Sequence, residues 1–289
     1  MCSTPYKRAL NNGMGKLTGE PVGHMYPLIS FPALILEDKR RILVIADLHI
    51  GWEVSLSQQG IHIPSQVSRL ASRVLKAIER SEAEELLILG DVKHTVARAE
   101  LEEWRDVPLF FEKVLERVDG VSVVPGNHDG NLEGLLPAGV RLHPSSGIAI
   151  GGVALFHGHR LPHPKLLGGC NRLVMGHMHP MIALRDKMGV KTLQQVWVNT
   201  QCDGGGILEI LRRRFKNVDS LRMGGRRIGC TILPSFNDLL GGKAVNLDSR
   251  DGQYMGPLMR AGVINLDEGE VFLLDGTYLG KVGQLKPPI

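Results

Sequence analysis

Five times in this chain an apolar run of strand length breaks off, and residues able to bind metal follow at once. The clearest case is Val121-Ser122-Val123-Val124-Pro125-Gly126-Asn127-His128-Asp129. A β-branched run that stops at Pro-Gly is how a buried strand delivers functional groups to the end of a sheet. Asn127 offers an amide oxygen to a metal, His128 can carry a proton near neutral pH, and Asp129 is expected to orient that imidazole. Taken alone, Gly-Asn-His-Asp also fits an ordinary polar turn. The functional reading gains force because Asp47/His49, Asp91, His157/His159 and His177/His179 each follow a run of the same kind.

The runs also set the fold class. Residues 31–36 and 41–46 read as two strands joined by a turn at 37–40, with a loop from 50 to 64. Leu70, Val74 and Ile78 recur at helical spacing, with Arg69, Arg73, Lys76 and Glu79 between them. This predicts an amphipathic helix over 67–78, N-capped by Ser65. Residues 86–89 form the next strand. A second helix is predicted over 101–118, disturbed in its middle by Pro108. Strand, helix, strand, twice over, implies a parallel α/β sheet whose site lies at its carboxyl edge. Past Asp129 the pattern changes to short strands with glycine turns, at 140–142, 148–150, 153–156, 173–175, 195–199, 206–211, 228–233 and 271–274.

Composition sets outer limits. The chain has 289 residues, 43% hydrophobic and 22% charged, a soluble profile without an apolar run able to cross a bilayer. Only 5% are aromatic, so the core must rest on Leu, Ile and Val. Residues 1–25 are expected to be a flexible extension without the apolar centre of a signal peptide, and residues 26–289 one domain. Cys2, Cys170, Cys202 and Cys230 are scattered, which fits neither a zinc knuckle nor a disulfide framework and suits a cytoplasmic protein. The formal charge of +4 permits a polyanionic partner without demanding one. Every histidine except His24 falls between His49 and His179. Carboxylate, imidazole and amide donors suit Mn²⁺, Fe²⁺ or Zn²⁺. There are more of them than one catalytic ion, with about three protein ligands, can use. Two ions sharing a carboxylate would use them economically.

In order and type these residues resemble the calcineurin-like metallophosphoesterases. The matching stretches are Asp47-Leu48-His49, Gly90-Asp91, Gly126-Asn127-His128-Asp129, His157 and Gly176-His177-Met178-His179. The resemblance implies a four-layer α-β-β-α sandwich of two mixed sheets flanked by helices. It implies two divalent ions, Mn²⁺ first, with Fe²⁺, Zn²⁺, Ni²⁺ or Mg²⁺ as alternatives. Asp47, His49 and His179 would hold one ion, Asn127, His157 and His177 the other, and Asp91 would bridge them. A shared water would attack phosphorus in line with the leaving oxygen, and His128, the catalytic acid, would protonate that oxygen or steady the phosphate. Asp129 is grouped with His128 as its support. His94 and His159 are candidate substrate contacts, although His94 stands near where relatives carry Asn or Asp. His24, His62, His143 and His163 are read as surface or core histidines.

Within the family the chain resembles an archaeal and bacterial subgroup related to the nuclease subunit SbcD/Mre11. The stretches that carry this are residues 46–53, 60–64 and 90–94, Leu233-Pro234-Ser235-Phe236-Asn237, Gly241-Gly242 and residues 274–280. The subgroup implies a phosphodiesterase acting on DNA or RNA, a link to DNA repair, and dimers among relatives. The clusters Arg212-Arg213-Arg214 with Lys216, and Arg222 with Arg226-Arg227, would serve phosphates if they lined the site. The favoured reading places them on the solvated edge of a strand pair. Rival functions are hydrolysis of small nucleotides or phosphomonoesters, and a non-catalytic scaffold on the same fold. The scaffold reading predicts a missing ligand or a missing His128, and none is missing. A metallo-β-lactamase-type hydrolase is disfavoured by the lack of a His-x-His-x-Asp-His run.

Overall fold

The computed structural model describes residues 24–96, 99–218, 220–221, 223–247 and 256–287. Residues 1–23, most of the predicted extension, therefore lie outside the description, as do Cys2 and Arg222. In chain order the first half comprises β1 (His24–Pro27), β2 (Leu34–Glu37), β3 (Arg41–Ile45), α1 (Trp52–Ser57), α2 (Val67–Ser81), β4 (Glu85–Leu89), α3 (Leu101–Leu115), β5 (Gly120–Val124) and β6 (Val140–Leu142). These six strands pair in numerical order, with β3 to β6 parallel. The second half contains β7 (Ile148–Ile150), β8 (Val153–Phe156), α4 (Pro164–Leu167), β9 (Arg172–Met175), β10 (Pro180–Arg185), β11 (Lys191–Asp203), α5 (Gly204–Arg212), β12 (Arg227–Ile232), β13 (Lys243–Ala244), α6 (Pro257–Arg260), β14 (Glu270–Leu273) and β15 (Tyr278–Lys281). Its sheet runs β13-β10-β11-β12-β9-β8-β7, with β14 on β11 and β15 on β14. In it β8, β9 and β12 are parallel.

The period-two alternation of the strands sorts their side chains into separate cores. Ile35, Leu43, Ile45, Leu86, Ile88, Val121 and Val123 point toward α2 and α3, meeting Leu70, Val74, Phe110 and Phe111. Leu34, Leu36, Ile42, Val44, Leu87, Leu89 and Val124 point the other way, against Leu155, Val174, Trp197 and Phe272 of the second sheet. The outer face of that sheet packs on Ile207, Leu208, Leu211, Leu258 and Met259 of α5 and α6. Three apolar interfaces between successive layers make the expected four-layer sandwich of two mixed sheets flanked by helices.

Local readings that the structure changes have physical reasons. Pro108 does not end α3, which continues to Leu115. Its missing N–H and ring clash cost about 3 kcal/mol. Phe110 and Phe111, both wholly buried, each return roughly 2–3 kcal/mol. Ser65 does not cap α2. Gln66 holds the cap position, and the Ser65 hydroxyl donates to Asp106 Oδ2 at 2.6 Å, tying α2 to α3. Residues 206–211 are helical, not extended. The Asp203 carboxylate accepts from the amides of Gly205 and Gly206 at 3.1 and 3.0 Å and starts α5 there. Ile207, Leu208 and Leu211 then share the buried face. Arg212, Arg213 and Arg214 thus sit at a helix end and not on a strand edge. Among the described residues, no helix is long and apolar enough to cross a membrane.

The inter-sheet interface should be as demanding as any core. Leu155→Ala, at a wholly buried position on β8, is expected to lower the unfolding free energy by about 2–5 kcal/mol in a urea titration.

Candidate metal centre

The parallel strands of both sheets end on one edge, and the backbone turns sharply there. Asp47 and His49 follow β3, Asp91 follows β4, Asn127 and His128 follow β5, His157 follows β8, and His177 and His179 follow β9. Asp47, His49, Asp91, His177 and His179 adopt positive φ, between 43° and 68°. Such left-handed positions cost about 1–3 kcal/mol each and persist only where the surroundings fix them. Here they are fixed by backbone bonds across the strand ends. Asp47 N donates to Gly90 O at 3.0 Å, and His49 N to Asp91 O at 2.8 Å.

The turns aim the donors inward. Asp47, His49 and His179 bring ligand atoms within 4.8 Å of one another, and so do Asp91, His157 and His177. Asp91 Oδ2 joins the two groups, 3.4 Å from His49 Nε2 and 3.2 Å from His157 Nε2. Asn127 Oδ1 lies 3.3 Å from His157 Nε2, and His177 Nδ1 lies 3.1 Å from it. His179 Nε2 is 3.2 Å from Asp47 Oδ1. His49 Nε2 and His179 Nε2 are buried and make no hydrogen bond. Buried imidazole nitrogens left unpaired beside carboxylates fit ions that both would ligate. His157 Nδ1 donates to Leu89 O at 2.7 Å, which turns Nε2 toward the centre.

Charge follows the same geometry. Burial pulls His157 down, but Asp91 and Asp47 beside it carry it up to about 9. Against burial, His157 and His49 hold Asp91 below the usual carboxylate range. Burial pushes His49 to about 3 and, with His157 nearby, His177 to about 4. The protein therefore presents an ionised Asp91 with neutral His49 and His177, the forms that ligate metal, whereas His157 would have to release a proton to an ion.

Residues 40–173 match the model of the calcineurin-like phosphoesterase family. Over that stretch, just under half of its length, the chain is similar to the calcineurin-like phosphoesterases. It is a metal-dependent hydrolase of phosphoric esters. Among solved structures, a nuclease MPE of Pseudomonas putida is 19% identical, covers 89% of this chain and 100% of its own, and superposes with a TM-score of 0.50, a likeness of fold. Yfce, a phosphoesterase from E. coli, is 23% identical over 52% of this chain and 75% of its own, with a TM-score of 0.31. No curated protein matches the chain.

In this phosphoesterase the support of His128 differs from the expected one. The Asp129 carboxylate does not reach the His128 ring. It is buried and accepts backbone amides, Gly126 N at 2.7 Å, Val92 N at 2.8 Å and Lys93 N at 3.3 Å. Burial and Asp91 push it to about 6. Asp129 thus holds the Asp91 and Asn127 loops together. His128 Nδ1 donates instead to the backbone carbonyl of His94. The His94 ring stacks on His128 with centroids 5.6 Å apart, and its Nδ1 is 3.2 Å from His49 Nδ1. His159 packs beside His157 and His177, with centroids 5.2 and 6.1 Å apart, and burial and those neighbours lower it to about 3.

Two positioning residues carried no sequence signal of their role. Ser235 Oγ donates to Asp47 O at 2.9 Å, and Asn237 Nδ2 to Leu48 O at 3.0 Å. Both are buried and follow β12, so the second sheet grips the strained turn of the first. The sequence marked them only as part of Leu233–Asn237, a stretch that carries the subgroup resemblance without giving their role. Glycine also sets the spacing, since a Cβ on Gly126 would stand 2.1 Å from Asp91 Oδ1. Gly126→Ala is therefore expected to lower Mn²⁺ affinity at least roughly tenfold by calorimetry, while circular dichroism of the metal-free protein stays unchanged.

Proposed function

We propose that this enzyme is a two-metal phosphodiesterase acting on nucleic acid, of the kind found in the SbcD/Mre11-related subgroup. The observation that carries the two-metal part is Asp91 Oδ2, placed between His49 Nε2 and His157 Nε2 at 3.4 and 3.2 Å. Asp47, His49 and His179 would hold one ion, and Asn127, His157 and His177 the other, with manganese the expected metal. When bound, the ions supply an activated water and neutralise charge on the phosphate. The protein's own residues do the rest. With Nδ1–H committed to the His94 carbonyl, His128 keeps Nε2 for the substrate. Protonated at Nε2 as well, the imidazolium gives that proton to the leaving oxygen, or holds a phosphate oxygen with it, and donation leaves the Nδ1–H tautomer.

Access supports a large substrate. Asp47, His49, Asp91 and His157 form a buried floor, while Asn127 is exposed and His94, His128 and His179 are partly so. The basic run after α5 supports a nucleic acid. Phe215 rests on His163, with ring centroids 5.7 Å apart, and His163 lies in the loop that leaves the site at His157. Arg214 and Lys216 neighbour Phe215 on the segment that meets that loop, while Arg213 pairs with Glu209 at 2.6 Å. The nuclease of similar fold is consistent with the same substrate class. Cys170, Cys202 and Cys230 are free and buried, as suits the cytoplasm.

The test offers bis-p-nitrophenyl phosphate, p-nitrophenyl phosphate and a labelled DNA to the Mn²⁺-loaded enzyme. The diester and the DNA are expected to be cut. His128→Ala is expected to lose roughly 10²–10⁴-fold in kcat with its metal content retained. Cleavage of the monoester alone would replace this reading with a small-substrate phosphatase. Silence on all three with metals bound would favour a scaffold.

A further inference from the structure

The acceptor for His128 is a backbone carbonyl, and such a carbonyl is only as fixed as its peptide plane. The His94–Thr95 peptide is held from its far side. Glu103, wholly buried on α3, accepts Thr95 N at 2.7 Å and His94 N at 2.9 Å through Oε1, and Glu100 N at 3.0 Å through Oε2. In a trans peptide the N–H and C=O point in opposite directions. A carboxylate on Thr95 N therefore aims His94 O away from itself, toward His128. It also polarises that peptide and strengthens His94 O as an acceptor.

The surroundings serve the same clamp. Lys93 is fully buried, and its ammonium donates to Thr95 O, the next carbonyl along. A Cβ on Gly51 would lie 2.8 Å from Glu103 Cγ, so the chain there leaves room for this side chain. Leu101 and Trp104 on the same helix stay largely exposed, which shows that Glu103 is not buried merely because its helix is.

We infer that Glu103 is a positioning residue for His128, acting through the His94–Thr95 peptide to fix the imidazole as its Nδ1–H tautomer with Nε2 toward the substrate. The inference rests on the role proposed above for His128. Glu103 touches neither substrate nor metal ligand side chains. It takes, through one peptide unit, the part that a carboxylate placed directly on a catalytic histidine plays elsewhere.

The experiment compares Glu103→Ala and Glu103→Gln in wild-type and His128→Ala backgrounds, with Mn²⁺ and bis-p-nitrophenyl phosphate. Glu103→Ala is expected to lower kcat roughly 10–100-fold, with KM and Mn²⁺ affinity within about threefold. In the His128→Ala background the same change should alter kcat by less than about twofold, because nothing remains to be positioned. Glu103→Gln keeps an acceptor for His94 and Thr95 and should stay within about fivefold of wild type. Nitrogen NMR of ¹⁵N-histidine, zinc-loaded wild type should show His128 protonated at Nδ1, and Glu103→Ala should give mixed tautomers. An equal loss of kcat in both backgrounds, or a loss explained by Mn²⁺ affinity, would overturn the inference. So would an Nε2–H imidazole in the wild-type spectrum, which decides the matter even if Glu103→Ala does not fold. Full activity of His128→Ala would instead defeat the functional reading, and the spectrum would still judge the tautomer.

Discussion

The metal centre depends on the stacking of two sheets through one apolar face. Neither sheet carries a complete ligand set. Asp47 and His49 come from the first sheet but need His179 from the second, while His157 and His177 of the second need Asp91 from the first. What registers them is the layer of Leu34, Val44, Leu87 and Val124 against Leu155, Val174, Trp197 and Phe272. Hydrophobic burial is strong but not directional. The exact meeting of the two edges is set by hydrogen bonds across the seam, from Ser235 and Asn237 to the Asp47–Leu48 backbone.

That seam explains how the enzyme tolerates a strained site. Several ligand residues stand in left-handed conformations that cost about 1–3 kcal/mol each. Turning the backbone there brings Asp47 and His49, two apart, into one candidate ligand group and sends His177 and His179 into different ones. The strain is offset by the packed interfaces below and by buried polar groups that hold individual peptides. Asp129 gathers the amides of Val92, Lys93 and Gly126, and Glu103 gathers those of His94, Thr95 and Glu100. Such carboxylates add little to the core but fix where the reacting groups point, and function rests on that precision.

A sequence determines what is local and periodic. In this one, β-branched runs marked the parallel strands, their endings marked Asp47, His49, Asp91, Asn127, His128, His157, His177 and His179 as candidates, and the residue types suggested metal chemistry. Short amphipathic pieces were less legible. Residues 206–211 suit a strand or a helix by composition, and the Asp203 cap settled the matter only once the chain ran beside β12. Asp129 adjoins His128 in sequence, but its carboxylate turns to the backbone amides of Val92, Lys93 and Gly126.

What only the tertiary structure decided were the partnerships between distant segments. Ser235 reaches Asp47 across 188 positions and Asn237 reaches Leu48 across 189. The carbonyl of His94 meets His128 across 34. No periodicity encodes such pairs, because a hydrogen bond to a backbone atom leaves no trace in the partner's side chain. The residue types on strand ends were fixed by the sequence alone. Which of them face an ion, and which hold the backbone that faces it, was decided by how two sheets stack.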